Sequence, residues 1–312
     1  MLWDYHRRLL EDGPRTTAFR DAIRGAVGPE SVVLDLGSGT GILSFFACEA
    51  GARRVYAIDE GHMADLTSLF TRHLGLADRV QVFHAHSSKV ELPERAAVLV
   101  TETLGSFGLD EQIISSVIDA RTRFLTPDAA IIPRDVTMVI APVEAPKPYE
   151  QRFAWCREHY GFDFSPMRAF VANQMHMHTA EAETFLADPA DVIHTDLTRV
   201  TSTEASGTVH FRAGRAGTMH GLAGWFTSAL TPDILVTGFG KTSWNQVFLP
   251  LAQPIAVHAG DAIDVTLETD DGAWFRWYGT ANGVPFDQST KASRPACTLQ
   301  SRDEHQPGTH PR

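Results

Sequence analysis

Apolar positions recur at three- and four-residue spacing from Leu9 to Val27, through Leu10, Phe19, Ala22 and Ile23, and predict one helix that Gly28-Pro29 ends. The run Val32–Leu36, stopped by glycines, predicts a strand; Ile42–Ala50 then reads as an apolar helix and Val55–Ile58 as a second strand. Strand, helix and strand in so short a stretch make a βαβ unit. The alternation continues with a helix over Met63–His73, strands at Val80–Phe83 and Ala97–Thr101, and a helix from Glu111 to Phe124, which predicts a parallel, doubly wound sheet. After Ile131-Ile132-Pro133 the texture changes to alternating β-branched runs, among them Thr137–Ala141, Gly207–Phe211, Leu222–Thr227 and Ile263–Leu267, and these predict antiparallel β structure. Between them Tyr149–Phe185 sets Tyr149, Phe153, Trp155, Tyr160, Phe162 and Phe164 in a helix-like rhythm, either as an inserted arm or as core aromatics. From about Arg294 the chain is polar, carries scattered prolines and lacks periodicity, so a disordered tail is expected. The expected division is residues 1–133, residues 134–293 with an arm at about 149–185, and a tail over 294–312.

Composition narrows the partners. The 312 residues hold 27 Lys and Arg against 38 Asp and Glu, a net charge of −11, and no run of basic residues offers a footprint for nucleic acid. Cys48, Cys156 and Cys297 are widely spaced, with neither a disulfide framework nor a metal-binding repeat, so no metal is expected and a reducing compartment is. The first residues lack the blocks of a signal peptide and no apolar stretch suffices to span a bilayer, so the reading is a cytoplasmic protein without a membrane partner.

Two motifs carry chemistry. Asp35-Leu-Gly37-Ser-Gly39-Thr-Gly41 lies between a predicted strand and a predicted helix, where glycines let a ligand approach the backbone. The spacing is GxGxG rather than the GxGxxG that sets a pyrophosphate on a helix N-terminus. Asp35 would repel a pyrophosphate but accept from an ammonium group, and Asp59 ends the next strand where a carboxylate reaches ribose hydroxyls. Together they describe a nucleoside carrying an amino acid; a bare strand-to-helix turn and a dinucleotide-binding oxidoreductase are the alternatives. The second motif sets Glu102 and Glu111 nine residues apart across a glycine-bearing loop at the carboxyl edge of the sheet. Two facing carboxylates repel unless a planar, multi-donor cation lies between them, and guanidinium is such a cation. The alternative is a surface loop charge, Glu102, and a carboxylate at a helix start, Glu111.

Over about residues 6–285 the chain resembles the protein arginine methyltransferase family. The segments that carry the resemblance are His6–Thr16, Val33–Leu43, Gly51–Asp59, the Glu102/Glu111 loop, Tyr160–Asp163, Asp196–Thr198 and Thr242-Ser-Trp244. The resemblance implies an α/β chain: a Rossmann-like domain binding S-adenosyl-L-methionine, then an antiparallel β-barrel domain with an inserted helical dimerisation arm, hence a homodimer. It further implies that Arg15 grips the cofactor carboxylate, Asp35, Gly37, Gly39 and Gly41 cradle its amino-acid portion, Asp59 takes its ribose, and His6 lies beside it. Glu102 and Glu111 would bind and activate the substrate guanidinium, in a pocket completed by Asp12, Ser243 and Trp244.

The chain departs from that pattern at four places. Ser243 stands where the family carries a histidine, so a His-Asp proton relay through Asp12 is not available in that form, and Ser88 stands where a glutamate contacts adenine. Ser106 replaces a loop tyrosine, and Leu9 replaces a methionine tied to the degree of methylation. The chain begins just before His6, so a tyrosine-rich helix that closes over substrate is expected to be missing. From these departures the expected substrate is free L-arginine or a small arginine-containing molecule, with protein arginines as the alternative and a non-catalytic cofactor-binding scaffold as a second.

Overall fold

The computed structural model describes residues 2–293, so the expected tail and Cys297 lie outside the described residues. Helix α1 (Leu2–Glu11) and helix α2 (Gly13–Ala26) lead into β1 (Val32–Leu36), α3 (Ile42–Glu49), β2 (Arg54–Asp59), α4 (Met63–His73), β3 (Val80–His84), β4 (Ala96–Thr101), α5 (Ile113–Arg123) and β5 (Leu125–Ile132). The strands form one parallel sheet in the order β3-β2-β1-β4-β5. The order reverses direction at β1, so the crevice above the carboxyl ends of β1 and β4 is where such a sheet takes its ligand. β1 is buried along its whole length, as a strand with helices on both faces must be.

The single helix expected over Leu9–Val27 is two helices. Asp12 leaves helical geometry at φ −73° and ψ 85°, and its carboxylate caps α2 by accepting from the Arg15 amide at 3.2 Å. Pro14 in the first turn has no amide to satisfy, so the break is encoded locally. At the other end, Gln112 is left-handed, which starts α5 at Ile113 and leaves Glu111 in the preceding loop rather than in the helix.

From β6 (Asp135–Val143) onward the chain is antiparallel. After α6 (Pro146–Phe153), β7 (Glu158–His159), β8 (Phe162–Asp163), α7 (Met167–Ala172) and β9 (His176–Met177) come β10 (Ala190–Asp196), β11 (Glu204–Arg212), β12 (Gly217–Thr231), β13 (Ile234–Thr237), β14 (Val247–Val257), β15 (Ala262–Asp270), β16 (Phe275–Ala281) and β17 (Val284–Ser289). One sheet runs β10-β6-β12-β14-β9 with β13 beside β12, the other β11-β15-β16-β17, and they form a barrel-like unit. A continuous apolar core joins this unit to the parallel sheet, with Leu104, Phe107 and Leu109 of the glutamate loop fully buried in it.

The aromatic segment divides between both readings. Tyr149 and Phe153 stack at 4.2 Å and pack into a second apolar cluster on the outer face of β6 and β12. Trp155, Tyr160, Phe162 and Phe164 instead stand exposed around the β7-β8 hairpin, Tyr160 at 99%. Among the described residues no helix is long and apolar enough to cross a membrane.

Candidate active site

The glycine loop follows β1 and is tied down by the Gly37 and Ser38 amides, both donating to the Ile58 carbonyl. Gly37, Gly39 and Gly41 all have positive φ. A β-carbon at Gly37 would meet Thr103 at 2.9 Å and one at Gly41 would meet Thr67 at 2.7 Å, so both the conformation and the space require glycine. Two clefts open beside the loop, of about 540 and 190 Å³, and Gly37, Asp59 and Glu111 line both. The larger runs past Glu60, His86 and Ser88; the smaller past Tyr5, His6, Arg15, Gly39 and Glu102. Such a cradle fits an elongated ligand lying from the end of β3 to the start of α1.

Asp59 accepts from the Gly39 amide at 2.8 Å and the Gly61 amide at 2.7 Å, which fixes its carboxylate at the junction of the clefts. Asp35 is not brought there. It is fully buried under the loop, accepts from the Ser44 hydroxyl at 2.6 Å, and lines neither cleft. Burial pushes its carboxyl up to about 7. The direct contact with an ammonium group expected from the sequence therefore lacks the geometry: Asp35 turns toward α3, and the loop covers it. Ser88 does line the larger cleft, bonded through its hydroxyl to His86 Nδ1 at 2.8 Å.

Glu102 follows β4 and is held on both oxygens. Arg15 donates to Oε2, and Trp244 Nε1 donates to Oε1 at 2.8 Å. Arg15 and Glu102 are 7% and 9% exposed, a buried ion pair, and the Arg15 guanidinium lies 5.6 Å from the Trp244 ring. Arg15, expected to grip a cofactor carboxylate, lies within the smaller cleft and bridges it to the first glutamate. Arg15 Nε is buried and has no partner among the described residues.

Glu111 is the opposite case. No hydrogen bond or ion pair reaches its side chain among the described residues; the residue is exposed and lines both clefts. Desolvation first, and then the charges of Glu102 and Asp110, push its carboxyl up to about 7. One glutamate is thus anchored, and the other is free to take a proton near neutrality.

The barrel contributes the wall. Asp12 accepts from the Ser243 amide at 2.7 Å while capping α2, so with serine at 243 the aspartate joins the barrel loop to the first helices through a backbone bond. Although burial opposes ionisation, the amides of Ser243 and Arg15 hold its carboxyl below the usual range. His6 lines the smaller cleft about 3.6 Å from where a Gly39 β-carbon would sit, and burial keeps its ring toward the neutral form. Sequence reasoning missed Tyr5, which lines the cleft with both glutamates; burial, then Glu111 and Glu102, push its hydroxyl up to about 12. Its signal was the four-residue step to Leu9, hidden because the helix was started at Leu9.

Comparison with known proteins places the chain in a class. The model described as the arginine methyltransferase oligomerization subdomain matches residues 134–276, and that of ribosomal protein L11 methyltransferase matches residues 15–132. Protein arginine N-methyltransferase 6 of Xenopus laevis is 31% identical over 286 residues, 85% of this chain and 84% of that one. Human protein arginine N-methyltransferase 2 is 30% identical over 278 residues, 83% of this chain and 64% of its own. A chain of the Trypanosoma brucei PRMT1 enzyme-prozyme heterotetrameric complex with AdoHcy superposes with a TM-score of 0.80 at 25% identity, covering 91% of this chain and 96% of that one. The chain belongs to the protein arginine N-methyltransferase family. It spans under two thirds of the length of the human relative and of its mouse counterpart, 64% and 62%.

These relatives overturn one expectation. Free L-arginine was the substrate read from the altered pocket, whereas the proteins to which this chain is similar are named for arginine in proteins. Ser243 and Ser88 do not change that: the first leaves Asp12 bonded to the barrel loop, and the second still lines the cleft.

Proposed function

We propose that the chain is an S-adenosyl-L-methionine-dependent methyltransferase acting on arginine side chains of proteins. The observation that carries the reading is the unequal glutamate pair beside the glycine cradle: Glu102 held by Arg15 and Trp244, Glu111 unpartnered and poised near neutrality. Residues 1–133 hold the cofactor, with Gly37, Gly39 and Gly41 against its amino-acid portion, Arg15 at its carboxylate, Asp59 at its ribose and Ser88 near its base. Residues 134–293 wall the substrate side through Ser243 and Trp244.

When bound, the cofactor supplies an electrophilic methyl group on a sulfonium. The chain's own residues do the rest. Each Glu102 oxygen has one lone pair left after its bond to Arg15 or Trp244, enough to receive the fork of a second guanidinium and draw positive charge away from the reacting nitrogen. Glu111 takes the proton that this nitrogen loses as the new N–C bond forms. Alignment of nitrogen and methyl group supplies a large share of the acceleration, on the order of 7 kcal/mol or more in favourable cases.

The exposed aromatics around the β7-β8 hairpin, with Leu69, Phe70 and Leu74 exposed at the end of α4, support assembly as a homodimer in which the arm of one copy packs on the other. Buried free thiols at Cys48 and Cys156 support a reducing compartment such as the cytoplasm. The function is tested by offering labelled cofactor with an arginine-rich protein and its Arg→Lys counterpart. Label in the first alone is the expected result; label in both, or in neither, removes the proposal.

A further inference from the structure

Glu111 has no bond of its own, so something else must hold it at the cleft. We infer that Asp271, on the barrel, is the positioning residue for Glu111, capping α5 across the boundary between the two halves of the chain. This rests on the reading of Glu102 and Glu111 as the guanidinium-binding pair.

Asp271 lies in the turn between β15 and β16, is 4% exposed and has φ +46°. Its Oδ1 accepts from the Ile114 amide and its Oδ2 from the Ser115 amide, both at 2.8 Å. These are the second and third amides of α5, the ones that a helix's own N-cap side chain ordinarily satisfies. Gln112, at the cap position, is left-handed and makes no such bond. The cap comes instead from a residue more than 150 positions away in sequence. A carboxylate suits the place twice over, because a helix N-terminus favours negative charge.

The turn also presses on the other side of Glu111. Gly272 has φ +71°, and a β-carbon there would collide with the Leu109 carbonyl and the Asp110 backbone. Asp110 closes the loop on itself by accepting from the Ser106 amide at 3.0 Å and the Phe107 amide at 2.8 Å. Glu111 is therefore strung between two clamped points, Leu109-Asp110 and Ile114-Ser115, both set by one barrel turn. The Asp271 amide in turn donates to the Thr203 carbonyl at 2.9 Å, which ties the turn to the loop before β11. Asp271 lines neither cleft and acts only through the loop. The barrel that walls the substrate side through Trp244 thus also sets the free glutamate.

Full-length Asp271→Ala, Asp271→Ser and Asp271→Asn variants test this by amide hydrogen exchange and steady-state kinetics with an arginine-rich peptide. Loss of a cap speeds exchange at Ile114 and Ser115 by about tenfold in Asp271→Ala. In the same variant kcat falls by about tenfold or more, because the displaced carboxylate no longer meets the reacting nitrogen. The cofactor Kd weakens by less, since Glu111 lines both clefts but the glycine loop, Arg15 and Asp59 keep their places. Asn and Ser each keep one acceptor oxygen where Asp271 uses two, so Asp271→Asn and Asp271→Ser protect one of the two amides and recover only part of both losses. Should Asp271→Ala not fold, the Asn and Ser variants decide alone: faster exchange at one of the two amides together with a lowered kcat supports the inference, and an undiminished kcat, or exchange unchanged at both amides, contradicts it. Unchanged kcat in a folded Asp271→Ala chain overturns it. A wild-type chain that methylates no arginine fails the reading of the site instead, and the exchange rates then decide whether Asp271 holds the loop.

Discussion

Replacing Glu111 by glutamine is expected to make the chain more stable and less active at the same time. The carboxyl is pushed from an ordinary 4.5 up to about 7 by burial and by Glu102 and Asp110. At full burial such a rise corresponds to about 3 kcal/mol of disfavoured charge, and because Glu111 is exposed to solvent we halve it to roughly 1–2 kcal/mol. A raised carboxyl costs the folded state where the fold must ionise it, so the cost is absent below about pH 4.5 and complete above about pH 7. Glu111→Gln removes the charge, keeps the shape and breaks no bond in the fold. Its melting temperature should exceed wild type by about 2–5 °C at pH 8 and match it near pH 4.5. Methyl transfer at pH 8 should fall by at least about a hundredfold, the lower range for loss of a general base. Differential scanning fluorimetry at the two pH values, with labelled methyl transfer, reads both. A variant less stable than wild type at pH 8 refutes the electrostatic account, and one that retains activity refutes the catalytic account.

Other expectations follow from the same geometry. Trp244→Phe keeps the ring but removes the donor to Glu102, so kcat/KM for an arginine peptide should fall about tenfold to a hundredfold, as loss of a hydrogen bond to a charged group predicts, with the cofactor Kd unchanged in calorimetry. Gly41→Ala forces a side chain at φ +81° into Thr67 and Phe45; calorimetry should show cofactor affinity down by at least about tenfold, and an unfolding free energy lowered by about 1–2 kcal/mol, read from denaturant unfolding, should accompany it. The pH profile of kcat/KM should rise with a midpoint near pH 7 as Glu111 ionises in the free enzyme, and level off about one pH unit higher. The limb in kcat should lie lower, because a bound guanidinium favours the carboxylate; coincident limbs would argue against direct contact.

Much of this site was legible because its parts are local. A short apolar run, three glycines and an apolar helix define the cradle with no reference to the rest of the chain, and Asp59 falls at the end of the next strand by simple alternation. The glutamates were legible as a spacing, but the difference between them was not: it depends on Trp244 and Arg15 meeting Glu102, contacts 142 and 87 residues apart in sequence. The same limit hid Asp271, whose bonds to α5 span the two halves. Asp35 misled because a motif gives position but not side-chain direction, and burial decides the latter. Strand β5 was missed because Pro127 and Asp128 interrupt its apolar pattern, and the break at Asp12 because helix periodicity runs nearly in phase across it.

The central claim is that Glu102 and Glu111 present an arginine of a protein to the cofactor's methyl group, and the most direct measurement locates that methyl group. An arginine-rich protein incubated with the chain and S-adenosyl-L-methionine, then fragmented by mass spectrometry, should carry methyl groups on guanidinium nitrogens and on no other side chain, with Glu102→Gln and Glu111→Gln giving only traces. Methylation of lysine, histidine or a terminus, or undiminished arginine methylation by either variant, would contradict it.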